Sequence, residues 1–252
     1  MQPGTLADQA SQLKRDGYVR LPGLFGPAAV EQARQRVLKH LHLLKNTRPN
    51  RSAGHLAGFH RYPELEPLHL PLSGHGDILG VLGAATDDGA VRTIGLSDIT
   101  INRSQEWHVD LLRGAYRRHL TAEMCWGPSG GGVYKVLWYL QDGRSLQVVA
   151  GAHTVPLELN DDRASEPRNG ASPRAIAMKA GDVILMDIRL PHRGSTEREL
   201  SDGAFLKAPK ILISTVLGAS TRPLTGAMER GNGERLSDWD RAHRHRGPPV
   251  LG

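Results

Sequence analysis

Apolar and polar positions alternate in two different ways along the chain. Over residues 1–45 the apolar residues recur at spacings of three and four, which predicts amphipathic helices. Thr5 can cap a first helix that Gly17 ends, and Pro27 suits the first turn of a second helix. The second helix collects its apolar residues on one face: Val30, Ala33, Val37, Leu38, Leu41 and Leu44.

From about residue 91 to 217 the apolar residues instead form short runs separated by turn residues, a pattern typical of β-strands. Lys179-Ala180-Gly181-Asp182 predicts a tight turn between two of these strands. Many short strands with polar turns favour a sandwich or barrel over a βαβ fold. The candidate strands are 18–21 near the amino terminus and then 91–94, 98–102, 107–112, 133–140, 146–149, 175–178, 183–188 and 210–217.

Two segments lack a clear period. Residues 46–90 are rich in Gly, Pro and His, and we expect loops there with a short helix near 78–82. The tail, 218–252, is rich in Arg, Gly and His and is expected to be a lid or partly disordered. Without an internal repeat or an obvious boundary, the sequence predicts a single domain over 1–252.

Composition narrows the function classes only a little. The 252 residues are 39% hydrophobic and 23% charged, as in ordinary soluble proteins. The net charge of +6 suits an anionic partner, but the basic residues are dispersed and aromatic residues make up only 5%, so nucleic acid is not the expected partner. Cys125 has no second cysteine to pair with, and no window resembles a signal peptide or a membrane span. We therefore expect a cytoplasmic protein.

The candidate chemistry begins at Trp107-His108-Val109-Asp110. On an extended strand, residues two apart point to the same face, so His108 and Asp110 would present an imidazole and a carboxylate side by side. A third ligand is needed, and the candidate is His192, which follows the Gly-Asp turn and apolar run over 181–192. Two histidines and one carboxylate leave open positions for a chelating co-substrate and O₂, as in non-haem iron oxygenases.

Other motifs are missing or lack the right geometry. The sequence has no HExxH, CxxC, GxxxxGK[ST] or GxSxG. His40 and His42 are two apart on a predicted helix and would point to different sides. His243 and His245 lie in the Arg-rich tail, where they more simply add solubility.

The order of these motifs resembles the phytanoyl-CoA dioxygenase-like (PhyH) family over most of the chain, from about 13 to 217. The resemblance rests on Leu13-Lys14-Arg15-Asp16-Gly17-Tyr18-Val19, on Tyr139-Leu140-Gln141-Asp142, and on the run 146–153 that ends in Ala-Gly-Ala-His where the family usually has Pro-Gly-Ser-His. It implies a mainly β fold, a double-stranded β-helix (jelly roll) with amino-terminal helices packed on one side. His153 falls in a structural corner of that fold and is not expected to bind metal.

The resemblance also implies an Fe(II) centre with 2-oxoglutarate as co-substrate and O₂ as oxidant. His108, Asp110 and His192 match the catalytic metal ligands. The family anchors the distal carboxylate of 2-oxoglutarate with a basic residue, usually Arg, near the start of the strand after the distal histidine. Here Lys210 opens the matching strand and Arg198 lies in the loop before it, so both remain candidates, with Lys210 favoured by position.

Two further residues are candidates for the co-substrate pocket, namely Asn102 and Trp138. Because Asp110 is present where halogenating relatives lack a carboxylate, we expect hydroxylation, desaturation or oxidative cyclisation. The few aromatic residues favour a polar small-molecule substrate. The resemblance to the family implies a role in specialised-metabolite (antibiotic) biosynthesis. The acidic residues near the metal segments, which could meet a cationic group, are Glu106, Asp142 and Asp187.

Other functions stay open at this point. A catabolic hydroxylase acting on an acyl group or small carboxylate would use the same site. A cupin-type metal isomerase would use the fold without 2-oxoglutarate, and a non-enzymatic basic protein would bind nucleic acid with strong salt dependence. The sequence leaves the oligomeric state undetermined.

Overall fold

A computed structural model describes residues 4–87, 89–159, 172–200 and 208–251. Its helices are α1 (Leu6–Asp16), α2 (Pro27–Lys39), α3 (Leu70–Ser73), α4 (Gly76–Thr86), α5 (Ala122–Trp126), α6 (Glu197–Leu200) and α7 (Pro223–Ala242). Its strands are β1 (Tyr18–Leu21), β2 (Gly54–Ala57), β3 (Val91–Ile101), β4 (Val133–Tyr139), β5 (Gln147–Val148), β6 (Arg174–Ala175), β7 (Val183–Asp187), β8 (His192–Arg193) and β9 (Ile211–Ala219). Short 3₁₀ helices lie at Leu41–Leu43, Phe59–Arg61, Glu66–Leu68, Asp110–Leu112, Gly114–His119 and Ala152–Thr154.

The amino-terminal helices form where the sequence predicts them. The side chains and backbone N–H groups of Thr5 and Asp8 bond reciprocally as a capping box at the start of α1. Gly17 ends the helix in the left-handed region, with φ of 78°. Pro27 occupies the first turn of α2, and Val37 on its apolar face is fully buried.

The strands form two antiparallel sheets. The larger has the order β1-β7-β4-β9-β3-β2, and the smaller has the order β6-β5-β8. A single antiparallel bridge pairs His108 with His192 of β8 and so extends the smaller sheet beyond that strand. The candidate metal ligands therefore begin at one edge of the smaller sheet.

Alternate side chains of β4 leave the larger sheet on opposite sides. Val136 and Trp138 pack into the core that α1, α2 and α4 cover. Leu137 and Tyr139 instead pack with Val148 and other residues of the smaller sheet. One core thus lies between the sheets and another lies under the helices, which confirms the predicted jelly roll with amino-terminal helices on one side.

Several predicted strand boundaries were wrong. The runs 91–94 and 98–102 belong to one strand, β3, whose register shifts between Thr93 and Ser97. The predicted strand 107–112 does not form, because only His108 makes a ladder pair and the chain then turns into the 3₁₀ helix Asp110–Leu112. Strand β2 lies in the segment expected to be loops, whereas α4 contains the predicted helix 78–82.

The carboxy-terminal tail contains α7, a helix that the sequence analysis did not predict. Its residues Leu224, Ala227 and Met228 are fully buried against an apolar cluster that includes Val109 and Leu111. The helix thus packs beside the segment that carries the candidate metal ligands. Among the described residues, no helix is both long enough and apolar enough to cross a membrane.

Candidate metal centre and adjoining cavities

Three buried side chains converge where the smaller sheet ends. One ligand atom from each of His108, Asp110 and His192 lies within 4.8 Å of the others. Nε2 of His108 is 3.8 Å from Oδ1 of Asp110, and Nε2 of His192 is 3.9 Å from Oδ2. The two imidazole centroids are 4.1 Å apart.

Backbone hydrogen bonds hold this arrangement. His108 and His192 exchange two N–H···O bonds of 2.9 Å, so their Cα atoms lie directly opposite each other. Val109 is extended, with φ of −113° and ψ of 141°, and Asp110 donates its N–H to the carbonyl of Ile188 at 3.1 Å. One extended residue is enough to bring His108 and Asp110 to the same side, although the predicted strand is absent.

Both histidines are oriented by backbone carbonyls. Nδ1 of His108 is 2.6 Å from the carbonyl oxygen of Glu106, and Nδ1 of His192 is 2.8 Å from that of Leu190. A carbonyl only accepts, so each Nδ1 carries the proton and donates, which leaves the Nε2 lone pair free. Burial lowers the pKa of His192 to about 4, and burial together with His192 holds the pKa of His108 well below its usual value. Both rings are therefore neutral near pH 7, as metal binding requires.

Asp110 is held by a buried lysine. Nζ of Lys135 donates to Oδ1 of Asp110 at 2.9 Å. Burial alone would raise the pKa of Asp110, but Lys135 and the two imidazoles hold it below its ordinary value. The carboxylate is therefore ionised, with Oδ2 on the side of His192.

The donor set fits a divalent metal ion. Nε2 of His108 and Oδ2 of Asp110 are both buried, and neither has a hydrogen-bond partner among the residues that the structure describes. Leaving such atoms unpaired costs about 1–3 kcal/mol each, a penalty that a bound cation would remove. Two imidazole nitrogens and one carboxylate oxygen are the ligands of non-haem Fe(II) sites.

Two cavities adjoin this centre. A narrow one between the sheets has His192 and Lys210 in its wall, with apolar sides formed by Leu137, Tyr139, Leu146 and Leu212. The other, of about 240 Å³, has Asp110 in its wall. Both cavities share Asp98, Arg103, Gln105 and Lys135.

Of the two predicted anchors for 2-oxoglutarate, Lys210 borders the narrow cavity, whereas Arg198 borders neither of these two cavities. Its ammonium group is buried and donates to the hydroxyls of Ser145 at 2.5 Å and Ser195 at 2.8 Å. Burial lowers the pKa of Lys210 to about 8. Arg198 is exposed on α6 and lines neither of these cavities.

Asn102 and Trp138 lie outside both cavities. Asn102 is buried with φ of 44°, and its Oδ1 accepts from the backbone N–H of Lys210 at 2.8 Å, so it positions the start of β9. Trp138 leaves β4 on the helix-covered side and packs against Phe25, with ring centroids 4.2 Å apart. These placements do not support a role in the pocket for either side chain.

Acidic residues expected near the metal do not line the cavities either. Asp187 pairs with Arg189 at 2.7 Å, Asp142 is exposed and pairs with Lys179, and Glu106 is exposed. His153 sits at the structural corner, where its Nε2 is 3.1 Å from the carbonyl of Lys14.

Sequence reasoning missed the basic residues around the centre. Lys135 is the sole charged residue within the otherwise apolar strand Val133–Tyr139, a pattern that could have identified it. Arg103 and Arg113 lie in irregular segments on either side of the metal ligands. No periodic pattern distinguishes these two from surface arginines.

The sequence matches no protein-family model, and no curated protein is similar enough in sequence to count as a relative. Solved structures are similar in fold. The epimerase SnoN of nogalamycin biosynthesis, solved with Fe³⁺, α-ketoglutarate and nogalamycin RO, has a TM-score of 0.64 at 18% identity, covering 98% of this chain and 96% of its own.

Two further structures show the same likeness. The non-haem α-ketoglutarate-dependent carbocyclase SnoK has a TM-score of 0.64 at 18% identity, with 100% of this chain and 97% of its own covered. HygX from Streptomyces hygroscopicus, solved with nickel, 2-oxoglutarate and hygromycin B, has a TM-score of 0.60 at 18% identity, with 85% and 87% covered. This chain has the fold of those 2-oxoglutarate-dependent enzymes.

Proposed function

We propose that the chain is a non-haem Fe(II)- and 2-oxoglutarate-dependent oxygenase of the PhyH-like kind, acting as one catalytic domain over residues 1–252. The observation that carries this proposal is the convergence of His108, Asp110 and His192 beside a narrow cavity that also contains the buried cation of Lys210. A facial set of three ligands leaves positions for a chelating 2-oxo acid and O₂. The fold shared with SnoN, SnoK and HygX supports the same class.

Each residue then has a defined task. His108, Asp110 and His192 hold the metal, and Lys210 binds the distal carboxylate of 2-oxoglutarate. Lys135 occupies Oδ1 of Asp110 and so leaves Oδ2 for the metal. When bound, Fe(II) with 2-oxoglutarate and O₂ supplies the oxidising chemistry, in which 2-oxoglutarate is decarboxylated to succinate and CO₂ as the substrate is oxidised.

The reaction we propose is hydroxylation, desaturation or oxidative cyclisation of a polar small molecule in the biosynthesis of an antibiotic or similar specialised metabolite. Asp110 keeps the carboxylate that halogenation would require the site to lose. The named neighbours support the substrate class, because SnoK is a carbocyclase of nogalamycin biosynthesis and HygX was solved with hygromycin B. A catabolic hydroxylase acting on a small acid remains the runner-up.

The proposal is tested by adding Fe(II), 2-oxoglutarate and a panel of polar substrates in air and measuring succinate by mass spectrometry. We expect wild-type protein to form succinate, His192→Ala to form almost none, and the exposed His245→Ala control to match wild type. A cupin-type isomerase or a nucleic-acid-binding protein would form no succinate. Undiminished succinate formation in His192→Ala, or chlorinated product in the presence of chloride, would contradict the assignment.

A further inference from the structure

The larger cavity beside Asp110 carries an excess of positive charge. Four cationic side chains and two carboxylates line it, namely Arg103, Arg113, Lys135 and Arg235 against Asp98 and Asp110. Both carboxylates are already paired. Nη2 of Arg235 lies 2.6 Å from each carboxylate oxygen of Asp98, and Lys135 binds Asp110.

Two guanidinium groups remain without an acidic partner. Neither Arg103 nor Arg113 has a carboxylate within ion-pair distance in the described part of the chain. Both side chains are partly buried, and Nε of Arg103 is shielded from solvent with no hydrogen-bond partner among the described residues. Arginine presents its donors in a planar fork, which suits carboxylate or phosphate oxygens.

The pKa values of both arginines are lowered by their surroundings. Burial, the charge of Arg113 and the charge of Arg48 together lower the pKa of Arg103 to about 9. Burial is also the main cause that lowers the pKa of Arg113. Partly buried cations that have no carboxylate within ion-pair distance are costly, and a bound anion would remove much of that cost.

We infer that the substrate carries an oxyanion, either a carboxylate or a phosphate, which Arg103 and Arg113 bind in the cavity of about 240 Å³ beside Asp110. This inference rests on the proposed function, because the cavity is a substrate site only if the adjoining triad holds the metal. The anion of the substrate lies at the arginines, and the carbon to be oxidised lies toward Asp110.

The two arginines differ in a way that separates substrate from co-substrate. Arg103 lines both cavities and could also contact 2-oxoglutarate, whereas Arg113 lines only the larger one. Substitution of Arg113 should therefore affect the substrate anion and leave 2-oxoglutarate unaffected. Arg244, which is exposed in the tail, offers a matched control.

The test uses calorimetry on the full chain loaded with Ni(II) and saturated with 2-oxoglutarate, which fills the Lys210 site. Inorganic phosphate and acetate are titrated separately as the two oxyanion probes. We expect saturable binding of at least one probe, weakened about ten- to a hundredfold in Arg113→Met, unchanged in Arg244→Met, and partly restored in Arg113→Lys. The probe that binds more tightly distinguishes a phosphate from a carboxylate substrate.

Binding of neither probe to the wild-type protein would overturn the inference. Equal affinity in Arg113→Met would overturn it as well, since an ion bound only to the nickel would survive that change. If Arg113→Met loses 2-oxoglutarate binding, and so has not folded, the lysine variants provide the test. Probe affinity equal to wild type in both Arg113→Lys and Arg103→Lys would then overturn the inference. Wild-type protein that does not bind 2-oxoglutarate would contradict the proposed function, which is a different result. In that case a phosphate titration without 2-oxoglutarate still tests whether the arginines bind an oxyanion.

Discussion

The ammonium group of Lys210 is buried between two serine hydroxyls, and this environment makes its charge sensitive to pH. Its pKa of about 8 lies below the ordinary lysine value because burial disfavours the charged form. Carboxylate binding needs the protonated form. Below pH 8 that form dominates and the affinity for 2-oxoglutarate is retained, whereas above pH 8 the free site loses its proton and the affinity falls.

We therefore expect 2-oxoglutarate affinity to weaken by about tenfold per pH unit well above pH 8, because each bound molecule must then recruit a proton. Lys210→Arg should abolish this dependence up to about pH 10, since arginine stays charged. Titration of 2-oxoglutarate into Ni(II)-loaded protein from pH 7 to 10 measures the pH dependence of affinity in the wild-type protein and in Lys210→Arg. A flat profile in wild-type protein would contradict a lowered lysine pKa at the site that binds 2-oxoglutarate.

The same site separates the two predicted anchors at fixed pH. Loss of a charge-assisted contact of about 1.5–3 kcal/mol predicts that Lys210→Ala weakens 2-oxoglutarate binding about ten- to a hundredfold. Arg198→Ala should leave binding unchanged, because this side chain is exposed and outside the cavity. Metal affinity should be unchanged in both variants. Weakened 2-oxoglutarate binding in Arg198→Ala with unchanged binding in Lys210→Ala would identify Arg198 as the anchor instead.

At the level of single residues, the sequence grouped His108, Asp110 and His192, which the structure brings together, but not the residues around them. His108 and Asp110 could be grouped because a two-residue spacing needs only one extended residue between them, and Val109 is extended. Lys135 and Arg113 could not be placed in the same way. Their proximity to Asp110 depends on how distant segments pack, which no local pattern records.

At the level of elements, α7 shows how tertiary packing overrides local propensity. Its three glycines and its asparagine lower intrinsic helix propensity. The Arg-, Gly- and His-rich composition of the tail accordingly predicts a lid or partial disorder and not a helix. Close packing against Tyr116 explains why one of these positions, Gly231, is a glycine. A Cβ there would lie 2.7 Å from Cδ1 and 2.9 Å from Cα of Tyr116, so the glycine permits close approach of α7 to Gly114–His119.

Two glycines of α7 provide a matched comparison. Gly231→Ala and Gly233→Ala gain the same helix propensity of about 1 kcal/mol, but a Cβ at Gly233 meets nothing within 4 Å. Because overpacking costs about 1–3 kcal/mol, Gly231→Ala should be less stable than Gly233→Ala by about that amount. Urea unfolding measures the difference. Equal stability of the two variants would show that α7 does not pack closely on Tyr116.

The remaining errors at this level have a common physical cause. Between residues 91 and 217 a short apolar run predicts a strand from local pattern alone, but a strand also requires a partner. Residues 107–112 have one ladder pair, at His108, after which the chain turns into a 3₁₀ helix. Strand β2 was missed in a Gly- and His-rich segment because its pairing with β3, from Gly54↔Ile101 to Ala57↔Asp98, is long-range.

At the scale of the whole molecule, part of the positive charge behind the net +6 lies around the two cavities. The sequence suggested a dispersed surface charge, yet several cations border the two cavities, including Lys210 in the narrow one and Arg113 in the larger one. Cations gathered around a cavity attract small anions by their combined field. The candidate metal ligands thus adjoin two cation-lined cavities, with His192 in the wall of the one proposed for 2-oxoglutarate and Asp110 in the wall of the one proposed for the substrate.

The central claim is that the triad binds Fe(II) in a form that accepts 2-oxoglutarate. The most direct measurement is an anaerobic titration of Fe(II)-loaded protein with 2-oxoglutarate, followed by the visible absorption band that arises when a 2-oxo acid chelates Fe(II). The account predicts a band that saturates at one equivalent in wild-type protein and in the exposed His245→Ala control, and no band in His108→Ala or His192→Ala. A band of equal strength in either ligand variant, or none in wild-type protein, would contradict it.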